Sequence, residues 1–340
     1  MTVENLEKEL KSGNLKSVYL LFGEEQYLIE TNLKKIRQLF GNCIKGINYI
    51  LIDEQNIQEI ISNIETPSFG YPKKLIIAKN TGLFKKETKK ATTDIEKLKI
   101  KLSNYIEKNI EIINEAVILV FVEEDVDIKS TLYKTIEKNG EVCKIDFQKP
   151  FQLEQRIKTI CNAYKVNIDQ QTLKYFIECC GTSLQDLINE IRKLIEYAGE
   201  NGTIQKKDID KLSIKKLESV IFDLTDDLGK KDISSALQVL KNLIYQKEPL
   251  AKILVTLYNH FKKLYITKIA LKENKELTSC LKLKPNQMFL TTKYKVQSKY
   301  FNERDLRNIL QDICNLDYYF KNGKIDLQVG LETILCKYCS

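Results

Sequence analysis

Histidine is nearly absent from the 340 residues: His260 stands alone, between Asn259 and Phe261 in a stretch of helical periodicity. Without a second imidazole, neither a Cys/His nor a Ser/His nucleophile pair has independent support, and no catalytic residue is expected. Long apolar runs are missing too, so no segment reaches membrane-spanning length. Met1-Thr2-Val3-Glu4-Asn5-Leu6 lacks the basic start and apolar run of a signal peptide, which points to the cytoplasm and away from a membrane. Paired cysteine motifs are scarce. The nine cysteines are scattered, mostly at apolar positions, and odd in number, so reduced thiols are the simplest expectation. Cys336-Lys337-Tyr338-Cys339 has CxxC spacing and Cys179-Cys180 could add thiolates. A structural zinc site takes four ligands, normally as two such pairs, so no metal is expected.

A nucleotide loop is missing where the chain invites one. An apolar strand, Val18 to Phe22, is followed by Gly23-Glu24-Glu25-Gln26-Tyr27-Leu28 and a helical pattern. A phosphate-cradling loop needs several glycines, a lysine and a Ser/Thr for magnesium. This one has a single glycine, no lysine and two carboxylates, which would repel a triphosphate and themselves answer the helix dipole. No cofactor is expected. Val120-Phe121-Val122-Glu123-Glu124-Asp125 ends a strand in carboxylates, but without a phosphate loop they read as solvated acids in a turn.

What is present describes a folded chain, 43% hydrophobic and 29% charged, with no repeat, low-complexity tract or disordered composition. Net charge is +8, which either favours an anionic partner or reflects a solvated Lys/Glu surface. Lysine far outnumbers arginine, so any nucleic-acid contact should be largely sequence-blind. Two stretches are candidates for it: the run Lys85 to Lys90, and the interleaved Lys293-Tyr294-Lys295-Val296-Gln297-Ser298-Lys299-Tyr300. In the second, Lys293, Lys295 and Lys299 could meet phosphates while tyrosines stack on bases. A solvated helix face over buried tyrosines explains it equally well.

Residues 1–148 alternate strand and helix signals. Val18 to Phe22, Ile47 to Ile52, Leu75 to Ala78, Val117 to Val122 and Val142 to Phe147 are the strands. Helical faces run from Glu24 to Phe40, Thr93 to Asn114 and Ser130 to Lys138. Five apolar strands separated by helices predict a mostly parallel sheet covered on both faces. Pro150 marks a boundary beyond which strand signals vanish. Residues 149–212 read as a small helical domain, with Gly202-Thr203-Ile204 a turn capped into its last helix. Residues 213–340 read as a larger all-helical domain, whose long helix has Pro249 at its first turn. The fold class is thus α/β plus all-α.

The chain's most informative stretch is Glu65-Thr66-Pro67-Ser68-Phe69-Gly70-Tyr71-Pro72-Lys73-Lys74-Leu75-Ile76-Ile77. Ile57, Ile60, Ile61 and Ile64 recur at helical spacing before it. Pro67 and Pro72 stop the helix, and Gly70 gives the backbone room to turn. Between helix and strand stand Phe69 and Tyr71. Either Phe69 folds back onto its own sheet or it is an apolar plug offered to a partner.

The order of these features resembles a known family, the delta subunit of the bacterial DNA polymerase III clamp loader. The likeness runs nearly end to end. It is carried by Tyr19-Leu20-Leu21-Phe22-Gly23-Glu24-Glu25-Gln26-Tyr27-Leu28, by Pro67-Ser68-Phe69-Gly70 and by Lys73-Lys74-Leu75-Ile76-Ile77. Asn189-Glu190-Ile191-Arg192-Lys193-Leu194, Ile204 through Ile209, Phe222-Asp223-Leu224, Ala236-Leu237 and the segment Asp317 to Asp326 complete it. The resemblance implies three domains: a RecA-like AAA+ domain without ATPase machinery (1–148), a helical lid (149–212) and a helical collar (213–340). It also implies partners. These are the ring-shaped sliding clamp, the ATP-hydrolysing and delta-prime subunits met through the collar, and primed DNA within the assembly. The chain would have no catalysis of its own while belonging to the DNA-directed DNA polymerase holoenzyme. On this resemblance Phe69 would, by position, be the residue that plugs a pocket on the clamp and wedges its ring open, with Pro67, Ser68 and Gly70 shaping it. Ile61, Ile64 and Tyr71 would share the contact. Family members usually carry a second large apolar residue immediately before the phenylalanine. Ser68 stands there instead, so the plug is either weaker or completed by Tyr71. The alternative from another class is a degenerate AAA+ nucleic-acid-binding adaptor with no clamp partner.

Overall fold

The fully apolar runs become the inner strands of a parallel sheet in the computed structural model, which describes residues 1–86 and 93–339. The strands are β1 (Val18–Phe22), β2 (Tyr49–Ile52), β3 (Lys74–Lys79), β4 (Val117–Glu123) and β5 (Glu141–Lys144). They lie in the order β2-β3-β4-β1-β5, every neighbouring pair parallel. β1 and β4 are buried at every position. Helices cover both sheet faces, so these strands show no polar alternation. The edge strands β2 and β5 are partly exposed. Leu20, Phe22, Ile76, Leu119 and Phe121 pack one face together with Ile57, Ile60, Ile61 and Ile64.

Two helical features differ from the pattern read in the sequence. The span expected to run as one helix from Thr93 to Asn114 is two, Thr93–Lys108 and Ile110–Ala116. Asn109 breaks it, its side-chain amide donating to Tyr105 O at 2.9 Å. Such side-chain competition for backbone groups is why asparagine ends helices. A helix at Val3–Lys11, not expected, is capped by Thr2 and buries Val3, Leu6 and Leu10.

The chain divides into two compact units, Met1–Phe147 and the remainder from Gln148. The second is helical, with one correction: Asn167–Ile168 and Thr203–Ile204 form a short parallel strand pair. Two residues per strand are too few to leave a periodic signal, and Gly202-Thr203-Ile204 is therefore half strand, not simply a turn. Pro249 is the N-cap of Leu250–Lys272, one position before its first turn. That helix packs with Leu217–Gly229, Ile233–Tyr245, Glu303–Lys321 and Leu327–Cys339 around Ile221, Leu240, Leu257, Ile309 and Leu331. His260 is buried there as a neutral imidazole, its basicity pushed down to about 3 by desolvation. Its Nε2 lies 2.9 Å from Gln297 Oε1, whose amide donates in turn to Phe222 O and Asp226 Oδ1. Among the described residues, no helix is long and apolar enough to cross a membrane.

Candidate functional site

Two junctions between the sheet and its helices carry the candidate binding residues of the first unit. The first is the turn after β1. Gly23 adopts φ +132°, and a Cβ there would lie 2.4 Å from Ile145 O. Its glycine therefore serves close packing against the segment leaving β5. The amides that would cradle a phosphate are already committed: Gly23 N–H donates to Glu123 O and Glu25 N–H to Ile145 O. Glu25 is buried and Glu24 exposed. The turn is spent on its own neighbours.

Glu123 corrects the reading of the acids that end β4. Glu124 and Asp125 are exposed, but Glu123 is buried. Its carboxylate accepts from Thr81 N–H at 2.9 Å and Thr81 Oγ1 at 2.6 Å. Burial raises its pKa above the ordinary carboxylate value, and the Thr81 donors pull the other way. The pair ties the exit of β3 to the exit of β4. Farther along this edge a cleft of about 1080 Å³ carries Lys85, Lys99, Asp125, Asp127, Lys129 and Lys144. Its charges are mixed, Lys144 lying 2.7 Å from Asp146. Of the lysine-rich run, residues 87–90 lie outside the described residues.

The second junction is the turn before β3. The helix Ile60–Glu65 buries Ile60, Ile61 and Ile64 in the sheet's own core. Ile61 and Ile64, expected beside Phe69 in a shared contact, instead hold the turn from below. Helical spacing cannot say which of two apolar partners a face meets, and here the sheet took it. Tyr71 N–H donates to Ser68 O at 2.9 Å, and Gly70 has φ +81°. A left-handed third residue in such a turn marks type II, where glycine is the residue without strain. Ser68 Oγ donates to Tyr71 O at 2.5 Å. This gives Ser68 a job that a large apolar residue could not do, since it closes the turn with a second hydrogen bond.

Phe69 stands at the tip, 74% exposed. Tyr71 is half-buried, and Pro67 and Pro72 are exposed. Exposure alone does not single Phe69 out, because Ile214 and Tyr245 are also open to solvent. Its setting does. The two lysines that follow it are both bonded, Lys73 Nζ at the surface to Asn114 O at 2.7 Å and the buried Lys74 Nζ to Asn63 O and Thr66 O at 2.9 and 2.5 Å. An aromatic ring on a turn braced at both ends is a ready-made anchor for a partner's pocket. In the sequence Lys74 counted only as part of the Lys73-Lys74-Leu75-Ile76-Ile77 segment, with no role of its own at the site. Its signal was a lysine opening an apolar central strand, where a charge needs a partner.

The lysine and tyrosine stretch near residue 300 divides. Lys293 Nζ is 2.9 Å from Glu178 and lies 5.6 Å over the Phe222 ring. Tyr294 is buried, its ring 4.9 Å from Phe222. Tyr300 packs across Gly229. Lys295 and Lys299 are exposed. Tyr294 is thus a core aromatic, and of the three lysines two face solvent.

Comparisons with known proteins agree along the whole chain. Residues 19–146 match the family described as DNA polymerase III, delta subunit. Residues 218–338 match the family described as DNA polymerase III delta subunit, C-terminal domain. The chain is 27% identical over 338 residues to DNA polymerase III subunit delta of Bacillus subtilis, covering 96% of this chain and 94% of that one. It is 27% identical over 313 residues to a probable DNA polymerase III subunit delta of Aquifex aeolicus, covering 89% and 86%. The solved structure of a Bacillus subtilis DNA clamp loader delta protein has the same fold, with a TM-score of 0.75 at 24% identity over 99% of each chain. With one match spanning the sheet unit and the other the helical core, the chain belongs to the DNA polymerase III delta subunit family.

Proposed function

We propose that this chain is the clamp-opening subunit of a replicative clamp loader. It binds the ring-shaped sliding clamp through the turn carrying Phe69 and wedges one ring interface open for loading onto primed DNA. The observation that carries this reading is Phe69 itself, a phenylalanine 74% exposed on a turn braced at both ends. Membership of the delta family supports it, and so does the fold shared with a protein titled a clamp loader delta protein. In this reading the first unit is a degenerate AAA+ domain. The Gly23 and Glu25 amides of its β1 turn are bonded to Glu123 O and Ile145 O, and in this reading ATP hydrolysis falls to neighbouring subunits. Residues 149–212 serve as a lid and 213–340 as the collar that meets those neighbours and the delta-prime subunit. The assembly works in the cytoplasm.

Fully burying one phenylalanine contributes roughly 1.5–3 kcal/mol. That is too little to hold a clamp alone, and with Ile61 and Ile64 in the core, Tyr71 and the turn's backbone must supply the rest. Calorimetric titration of the full chain with the sliding clamp tests this. Phe69→Ala should weaken binding about tenfold or more while the melting temperature stays put. Unchanged affinity would refute the assignment of Phe69. A wild-type chain that ignores the clamp yet retains primed DNA would favour the adaptor reading, with Lys295 and Lys299 as its first candidates.

A further inference from the structure

Lys74 is the first residue of β3 and is only 2% exposed. A lysine beside a surface turn normally lays its stem along the protein and leaves its ammonium in water. This one does the reverse. Nζ donates to Asn63 O at 2.9 Å and Thr66 O at 2.5 Å. Asn63 lies in the last turn of the helix Ile60–Glu65, and Thr66 is its C-cap residue. Those carbonyls have no acceptor role left within the helix, and a cation is the group that best answers them. Burial lowers the lysine's pKa, so the site holds its charge against desolvation. That cost is tolerated where both carbonyls are bonded.

The geometry has a further consequence. A six-residue helix cannot hold its own end in place. Lys74 is covalently part of the central sheet, in register with Val117 of β4. Its ammonium therefore ties the end of the helix to the most rigid part of the unit. The residues between, Pro67 to Lys73, have little freedom left once Ser68 and Tyr71 have closed the turn.

We propose that Lys74 is the positioning residue of the partner-binding turn: its buried ammonium locks the helix end to β3 and so aims Phe69 before any partner arrives. This deepens the reading of Phe69 as a clamp anchor and rests on it. Pre-aiming lowers the ordering cost paid on binding.

The test is a double-mutant cycle on the full chain, combined with hydrogen exchange. Lys74→Met keeps the stem and removes the donors, and Lys74→Gln keeps one uncharged donor in case the first variant folds poorly. Lys74→Met should lower clamp affinity about tenfold, with Lys74→Gln in between. In a Phe69→Ala background, Lys74→Met should change affinity less than about twofold, because its effect passes through the ring. Exchange of the Thr66 and Tyr71 amides, bonded to Ser62 O and Ser68 O, should quicken while that of β4 stays slow. Unchanged affinity, an equal loss in both backgrounds, or exchange that quickens in β4 as well would overturn the proposal. If the wild type does not bind the clamp, the function proposed above fails, and the exchange measurement still decides whether Lys74 holds the turn.

Discussion

The turn after β1 and the turn before β3 are both short, both hinge on a left-handed glycine, and put that glycine to opposite use. Gly23 is needed because there is no space: a side chain would enter the backbone at Ile145. Gly70 is needed only for its φ, since nothing lies within 4 Å of where a Cβ would sit. The first turn aims its amides inward and consumes them. The second closes on itself and holds a phenylalanine in water. Parallel α/β sheets usually bind ligands beyond the carboxyl ends of their strands, where Gly23 stands. In this chain the exit of β1 is bonded shut, and the entrance to β3 is what faces outward.

The comparison can be broken by mutation, beginning where the effect should be greatest. Gly23→Ala forces a Cβ into Ile145, and strain plus overpacking should cost roughly 2–5 kcal/mol, read as a lower urea midpoint. A stability within error of wild type would mean that this turn is not packed as described. Next comes the latch on the same edge. Glu123→Ala leaves the Thr81 N–H and hydroxyl unpaired at a buried site, a loss of about 1–3 kcal/mol.

Glu123→Gln keeps an acceptor for Thr81 and isolates the charge. Burial raises the Glu123 carboxyl in the folded chain, so the native state keeps its proton to a higher pH than the unfolded chain does. Across the window between those two pKa values, stability therefore falls as pH rises. Urea titrations from pH 4 upward should show that fall in the difference between wild type and Glu123→Gln, because carboxylates held low, such as Asp186 and Asp312, titrate alike in both. A difference that grows in favour of wild type as pH rises through that window has the sign reversed.

At the outer turn the effect should be smallest. Gly70→Ala meets no neighbour and costs about 1–2 kcal/mol for its left-handed φ alone. Equal losses at Gly23 and Gly70 would erase the contrast between a packed and an open glycine.

Much of this was legible in the residues. Val18 to Phe22 and Val117 to Val122 are apolar at every position, and runs that short between turn signals read as strands buried on both faces. The single glycine and paired glutamates after β1 depart from the composition of a phosphate loop. Pro67, Gly70 and Pro72 announced the turn. Other parts were not legible for identifiable reasons. The break at Asn109 depends on a side chain competing for one carbonyl, which leaves no periodic trace. Glu123 and Lys74 look like surface charges because their partners, Thr81 and the carbonyls of Asn63 and Thr66, are single polar groups that no periodicity marks.

The sequence by itself determined the strands, the missing nucleotide loop and the presence of an aromatic turn, because periodicity, glycine and proline act on the nearest few residues. Only the tertiary structure decided which isoleucines the sheet would keep, which charges would be buried, and that Phe69 would be left outside. Those choices depend on competition for a shared interior, and no local stretch of chain records who wins it.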